Sequence, residues 1–304
     1  MASLDETIAG IKADLANHDG ILIAFSGGVD SSVVAALAHD VLGDDAIACT
    51  AKSETLPEAE LENTRRIADE IGIRHEIVEF SELDSEAFKR NDEQRCYHCR
   101  TMRLSAMYDA AVERGIETVC DGTNASDPGD GHRPGLKAVE ELDAYSPLLE
   151  HDVTKEEVRA IAREYDLSVA DKPSMACLSS RIPTGLEVTE ERLTRIEQAE
   201  QILRTWGFEQ FRVRDHDGLA RIEVAPSDLE AALDSEFVRA ARDHIADLGF
   251  DHVTLDLHGY QTGSVSSETE GTQTGDTTSD DGSDDPIVEN VFDAKYPTTG
   301  DSSQ

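Results

Sequence analysis

Lysine is scarce in this chain: seven residues in 304, beside twenty arginines, and these 27 bases stand against 64 acids for a formal charge of −37. Aromatic residues are few as well, 5% of the chain with one tryptophan. Excess carboxylate spread along the whole length keeps a surface hydrated and fits a high-salt cytoplasm. It says nothing about fold, and it argues against unaided binding to nucleic acid. No hydrophobic run approaches the length of a membrane span, so no membrane partner is expected. The stretch Met1 to Asp19 reads as an acidic amphipathic helix and lacks the pattern of a signal peptide, which makes the cytoplasm the expected location. Five cysteines (Cys49, Cys96, Cys99, Cys120, Cys177) are too few for a disulfide framework in such a chain and suggest metal or catalytic work instead. There is no internal repeat. No glycine loop ends in Gly-Lys-Ser/Thr, which excludes a Walker site, and no dinucleotide fingerprint is present.

What is present is organised around residues 21–32, Ile-Leu-Ile-Ala-Phe-Ser-Gly-Gly-Val-Asp-Ser-Ser. Ile21 to Phe25 is a short apolar run, read as a buried parallel strand. Ser26, Gly27 and Gly28 turn the chain, and Val29 to Leu42 carries apolar residues at helical spacing. Strand, glycine-hydroxyl loop and helix start together aim backbone N–H groups at one spot, which suits a phosphate or pyrophosphate. Gly27 and Gly28 permit close approach and positive φ. Ser26, Ser31 and Ser32 add hydroxyl donors, and Asp30 sits where a Mg²⁺ bridging to phosphate needs a carboxylate. Ser-Gly-Gly-Val-Asp-Ser-Ser resembles the pyrophosphate (PP) loop of the N-type ATP pyrophosphatases, which cleave ATP between its α and β phosphates and adenylate a carboxyl or carbonyl oxygen.

The rest of residues 1–185 alternates strands and helices: strands at 46–51, 74–78 and 118–121, helices at 56–71, 99–114 and 155–165, the last capped by Thr154 with Glu157 three residues on. Such alternation means an α/β fold, a parallel sheet with helices on both faces and ligands outside the carboxyl ends of its strands. Asp121-Gly122-Thr123-Asn124 lies at one such end, so Asn124 and Asp127 are candidates to finish the nucleotide site. Ala125–Leu136 is too rich in glycine and proline for regular structure and reads as a loop over the site. Residues 186–263 read as a small α+β domain with helices at 189–206 and 237–248 and strands at 208–214, 219–224 and 252–257. From Ser264 to Gln304 ten acids and one lysine stand among Ser, Thr and Gly, the composition of a disordered tail.

Arg95-Cys96-Tyr97-His98-Cys99-Arg100 places a Cys-x-x-Cys just before a predicted helix. Cys177 lies far along the chain in Asp171-Lys172-Pro173-Ser174-Met175-Ala176-Cys177-Leu178-Ser179-Ser180-Arg181-Ile182-Pro183. Three thiolates could hold a 4Fe–4S cluster with one iron open. The same three with His98 or His132 could hold zinc, and the pair alone could be a redox or zinc pair. Cys49 and Cys120, in predicted buried strands, are small core residues. An adenylated carboxylate is an activated acyl group, and a thiolate or metal-bound sulfide attacks it well.

Together Asp121–Asn124, Arg133-Pro134-Gly135-Leu136, Ser146-Pro147-Leu148, Met175–Pro183 and Gly259-Tyr260-Gln261-Thr262-Gly263-Ser264 resemble the ATP-dependent sulfur transferases of the LarE family over residues 4–264. The resemblance implies a small-molecule nucleotide substrate, pyridinium-3,5-biscarboxylic acid mononucleotide. Its carboxylates would be adenylated and thiolated on the way to the nickel-pincer nucleotide. It implies that Cys177 bears the sulfur, that Cys96, Cys99 and Cys177 hold a cluster, and that the chain forms trimers or hexamers. Arg212 and Arg214 alternate on a predicted strand and so face one side. The resemblance makes them the clamp for the substrate phosphate, while an exposed strand face pairing with the acidic surface is the plainer alternative. Arg181 is near enough to Cys177 to steady a substrate carboxylate or acyl-adenylate. Glu200 is either a metal ligand at a subunit contact or a solvated carboxylate on its helix.

Overall fold

The computed structural model describes residues 3–127, 134–173 and 176–261. These belong to one compact unit, Met1–Val265. His132, Arg133, Met175, Thr262–Ser264 and the acidic tail lie outside the described residues.

The chain runs α1 (Leu4–Leu15), β1 (Ile21–Ala24), α2 (Val29–Leu42), β2 (Ala46–Lys52), α3 (Glu58–Ile71), β3 (Arg74–Glu79), α4 (Glu86–Lys89), α5 (Arg95–Glu113), β4 (Thr118–Cys120), α6 (Pro134–Glu141), α7 (Pro147–Glu150) and α8 (Lys155–Glu164). It continues with α9 (Glu190–Thr205), β5 (Phe211–His216), β6 (Leu219–Val224), α10 (Leu229–Ala232), α11 (Ser235–Ala246) and β7 (His252–Leu255). A turn of 3-10 helix spans Leu178–Arg181.

The first sheet has the order β3-β2-β1-β4 and is parallel throughout. Its central strands are apolar on both faces because both are covered. Ile21 and Ile23 pack with Val33, Leu37, Ile161 and the helices on one side. Leu22 and Cys49 pack with Leu104, Met107 and Val119 on the other. Cys49 and Cys120 are wholly buried, and burial pushes the Cys49 thiol up to about 12. The order reverses between β1 and β4, so a crevice opens at the carboxyl ends of those two strands. The PP loop leaves β1 there, and Asp121 leaves β4. The capping box Thr154–Glu157 is formed at the start of α8 as its spacing predicts.

A second sheet, β5-β6-β7, pairs β5 with β6 antiparallel and β6 with β7 parallel. Its hairpin turns through Asp217 (φ 54) and Gly218 (φ 94), the two positive φ values of a tight hairpin, so β5 reaches His216 where the apolar pattern suggests Arg214. Two further differences matter for the site. Helix α5 begins at Arg95, which puts Cys96 and Cys99 inside its first two turns; no glycine or proline separates the cysteines from the rest of the helix, and the Asp92 carboxylate accepts from the Gln94 N–H at its start. Helix α6 begins at Pro134, inside the stretch expected to be irregular, because a proline with preset φ opens a helix well.

Candidate active site

The loop after β1 holds its shape with its own hydroxyls. Ser26 N–H donates to Ser31 Oγ (3.2 Å), Ser31 Oγ donates to Gly28 O (3.2 Å), and Asn63 Nδ2 donates to Gly27 O (3.0 Å). Gly27 has φ 66, and a Cβ there would lie 2.9 Å from Asn63 Nδ2 and 3.2 Å from Thr64 Cα. Gly122 at the end of β4 approaches the start of α2 so closely that a Cβ would lie 2.8 Å from Ser31 N. Ser32 Oγ is buried with no hydrogen-bond partner among the described residues. The Ser32 hydroxyl is therefore a donor that the loop's own fold leaves open, as a phosphate cradle requires.

Asp30, one residue into α2, is held from two sides: Asn124 Nδ2 donates to Oδ1 (3.0 Å) and Lys155 Nζ to Oδ2 (2.5 Å). Asn124 is itself set by the Asp127 carboxylate, which accepts from its N–H (2.9 Å). Asp121, wholly buried, accepts from Arg100, Thr123 and Ser146.

One cavity of about 170 Å³ is lined by Ser26, Gly28 and Asp30 of the loop together with Arg103, Lys155, Lys172 and Cys177. A smaller one of about 80 Å³, lined by Phe25, Leu56, Leu104, Met107, Arg100 and Arg103, adjoins it through Ser26, Leu56 and Arg103. The structure thus brings Cys177, some 150 residues away in sequence, to the PP loop. Lys155, Lys172 and Arg103 have no motif to announce them; the one signal in the sequence is lysine's scarcity, since two of seven line this cavity.

Of the other cysteines, Cys99 is half-buried and Cys96, three residues earlier on the same side of α5, is exposed. Arg103 donates to Glu82 (3.3 Å) and Thr55 (2.9 Å). Burial works against its charge, but the charges available to Cys99, Glu82 and Cys177 outweigh that and keep it a firm cation. Burial likewise pulls Glu82 up, yet Arg103 and hydrogen bonds from Cys99, Thr55 and Ser53 hold it below the usual carboxylate range. Burial pushes the Cys99 thiol well up. Cys99 and Cys177 thus converge on one guanidinium, while Cys96 faces solvent. Among the described residues no group of three or more His, Cys, Asp or Glu side chains is gathered closely enough to hold a metal ion.

Arg181 is 1% exposed and Glu200 3%. The Arg181 guanidinium donates to both Glu200 oxygens (2.8 and 3.2 Å) and to the carbonyls of Ala176 (2.7 Å) and Cys177 (3.1 Å). Glu200 also accepts from Val213 N–H (3.1 Å). Glu200 is accordingly not a solvated carboxylate: its helix turns it inward because a buried arginine needs it. Arg212 and Arg214 share a face of β5 and are both buried, so they are not an exposed strand face. Arg214 pairs with Glu223 (2.5 Å) and donates to Ser180 O (3.2 Å). Arg212 donates to Gln261 O (3.2 Å) and stacks 4.3 Å from the Tyr260 ring, with no carboxylate in ion-pair reach among the described residues. Burial, reinforced by Arg181 and Arg214 and opposed by Tyr260 and Glu223, lowers its affinity for the proton.

Comparison with known proteins agrees with this geometry. The asparagine synthase family model matches residues 15–109. An uncharacterised protein of Synechocystis is 40% identical over 262 residues, 86% of this chain and 97% of its own length. The pyridinium-3,5-bisthiocarboxylic acid mononucleotide synthase of Lactiplantibacillus plantarum is 36% identical over 264 residues, 86% of this chain and 95% of its own. A tRNA-specific 2-thiouridylase of Methylobacterium nodulans is 29% identical over 191 residues, half of each chain.

Proposed function

The chain belongs to the LarE family of ATP-dependent sulfur transferases, and on that premise we propose that it adenylates the carboxylates of pyridinium-3,5-biscarboxylic acid mononucleotide and converts them to thiocarboxylates. The observation that carries this reading is the single cavity lined by both the PP loop and Cys177. The α-phosphorus of an ATP on that loop and a sulfur on Cys177 can meet one carboxylate within it.

In this scheme residues 1–185 run the nucleotide chemistry and residues 186–263 hold the substrate. The adenine ring takes the apolar recess beside Phe25 and Met107, and the pyrophosphate takes the open donors of residues 26–32. Asp30 would hold a Mg²⁺ that neutralises the leaving pyrophosphate. A substrate carboxylate oxygen attacks the α-phosphorus and pyrophosphate departs. The Cys177 thiolate then attacks the acyl carbon, and AMP leaves with the oxygen. Loss of the Cα proton and cleavage of the Cβ–S bond release the thiocarboxylate and leave dehydroalanine at 177. Arg212, with no carboxylate partner among the described residues, and Arg214 beside it are the proposed seat of the substrate phosphate. Arg181, expected from the sequence to steady a substrate carboxylate or acyl-adenylate, has its donors taken by Glu200, Ser180 and the carbonyls of Ala176 and Cys177, so its proposed role is to steady the Cys177 loop.

Repeated turnover needs renewable sulfur. A 4Fe–4S cluster on Cys96, Cys99 and Cys177 is the proposed source, with zinc the alternative occupant. The three thiols are not a ligand set as they stand, so the sulfur step above is derived through Cys177 alone. Anaerobic iron analysis decides the matter: about four iron per chain supports the cluster. Metal-free protein whose Cys177 becomes dehydroalanine makes the enzyme sacrificial. A homo-oligomer, trimer or hexamer, is part of the proposal and is read by light scattering.

The reaction itself is tested by ATP–pyrophosphate exchange in high-salt buffer with Mg²⁺, offering the mononucleotide or bulk tRNA. Exchange with the mononucleotide alone is expected. Exchange with tRNA alone overturns the assignment in favour of tRNA thiolation. ATP binding without exchange in either case would make the chain a carrier or sensor.

A further inference from the structure

Resting on that reading of Cys177 as the sulfur bearer, the geometry points to Asn91 and Arg95 as positioning residues that set the sulfur loop against helix α5. Neither lines the cavity. Asn91 is wholly buried and adopts φ 54, the left-handed region that asparagine tolerates best among residues with a side chain. Its Nδ2 donates to the carbonyls of Pro183 (2.8 Å), Leu186 (2.8 Å) and, more weakly, Ile182 (3.3 Å). Its Oδ1 accepts from Arg95 Nη1 (2.6 Å), and the same nitrogen donates to Ser179 O (2.9 Å). The backbone adds Gly185 N–H to Asn91 O (2.9 Å) and Val188 N–H to Lys89 O (2.9 Å).

Two physical points make this more than packing. Arg95 is 9% exposed, yet no carboxylate lies within ion-pair distance of it among the described residues. Its partners are the neutral oxygens of Asn91 and Ser179 and, at 3.9 Å, Cys96 Sγ, and a buried guanidinium so held is a costly way to fill space, since an apolar side chain of that size would serve at less cost. Its cost is offset only by what it fixes. Arg95 opens the helix that carries Cys96 and Cys99, and it grips the loop two residues after Cys177. On the other side the loop's own Arg181 is anchored on Glu200 of α9 and takes the carbonyls of Ala176 and Cys177, and Arg214 of β5 takes that of Ser180. Asn91 and Arg95 therefore supply the other jaw, and with it the separation of Cys177 from Cys99 and from the PP loop.

The test uses full-length Arg95→Met, Arg95→Lys and Asn91→Ser beside the wild type. Four quantities are read: thermal midpoint, pyrophosphate exchange with the mononucleotide, single-turnover thiocarboxylate formation, and the rate at which iodoacetamide alkylates Cys177, mapped by mass. Arg95→Met is expected to keep exchange within about twofold while thiocarboxylate formation falls at least ~tenfold, as misplacement of a nucleophile by an ångström predicts. Cys177 alkylation should change by about threefold or more, and Arg95→Lys should restore part of both. A folded Arg95→Met with wild-type transfer and alkylation overturns the inference, as does equal loss of exchange and transfer across all three variants. Should Arg95→Met not fold, Arg95→Lys and Asn91→Ser carry the same comparison. If the wild type shows no exchange at all, the proposed reaction falls, and the alkylation rates still judge the clasp.

Discussion

The PP loop and the Cys177 loop line one cavity but are built by opposite means. The PP loop largely shapes itself: its glycines, its serine hydroxyls and the first turn of α2 make the curve, with Asn63 of α3 on Gly27 O, and Ser32 Oγ has no partner among the described residues. The Cys177 loop is held largely from outside: Arg95, Arg214 and Asn91 take its carbonyls at 179, 180, 183 and 186, while its own Arg181, anchored on Glu200 of α9, takes those at 176 and 177. A loop that receives an anion keeps donors free. A loop that delivers a nucleophile has its acceptors consumed so that its one reactive atom stays put. On the proposed reading, buried cations serve placement at Cys177 and recognition at Arg212.

Replacing the proposed nucleophile separates the two regions most sharply. Cys177→Ala is expected to abolish thiocarboxylate formation, a loss of at least ~10³-fold, while exchange stays within about twofold of wild type. Mass spectrometry of the product beside an exchange assay reads both. Exchange lost along with transfer would mean that Cys177 also shapes the nucleotide site.

Glu200 tests how far the outer clamp reaches. Glu200→Ala strands the Arg181 guanidinium and Val213 N–H in a buried place and is expected to cost about 3–5 kcal/mol in urea unfolding, as a broken buried ion pair does. Glu200→Gln, which keeps an acceptor, should cost less. A loss under ~1 kcal/mol in the alanine variant, the range of a surface pair, would show the clamp to be dispensable.

These two regions also differ in how well they could be read from the sequence. Seven contiguous residues announce the nucleotide site, because a turn that cradles phosphate needs its glycines and hydroxyls side by side. The parallel sheet was legible for a similar reason: strand runs such as Ile21–Ala24 and the capping box at Thr154 are local signals. The sulfur side is assembled from residues 82, 91, 95, 103, 177, 181, 200 and 214, of which Cys177 stands out in type, Arg181 by its nearness to it, and Glu200 and Arg214 only for other roles. Asn91 and Arg95 look like loop polar residues until the fold buries them. Glu200 looks like any solvated acid on an acidic helix, because the arginine it serves is nineteen positions away. Burial is a property of the packed chain, and in a sequence with 64 acids a buried one carries no mark.

On the nucleotide side, Gly27→Ala probes self-shaping. A methyl group at φ 66 is strained, and it would press on Asn63 and on the backbone of Thr64. Exchange is expected to fall about tenfold through a misplaced phosphate cradle, with single-turnover transfer from pre-formed acyl-adenylate unaffected. A wild-type exchange rate would mean that α3 yields and that the loop's shape comes from elsewhere.

The smallest effect comes from beneath the PP loop, where β1 hands over to it. Thr50 Oγ1 donates to Phe25 O (2.8 Å), so its lone pair accepts from His75 Nε2–H (2.8 Å), and the ring meets Phe25 edge-on at 5.7 Å. Burial first, and then Arg65, lower the His75 pKa against an opposing pull from Asp69. The folded chain therefore binds this proton less readily than the unfolded one. Its contribution is complete above the ordinary histidine value of about 6.5 and is lost as pH falls through the lower folded value. His75→Leu should cost ~1 kcal/mol at pH 7.5, the worth of one hydrogen bond, and should lose less stability than the wild type when urea unfolding is repeated at pH 5.5. Carboxylates elsewhere titrate alike in both proteins, so the difference between their pH slopes isolates the ring. Parallel slopes would mean that His75 accepts its proton without disturbing Thr50, and that the floor of the nucleotide loop is indifferent to acid.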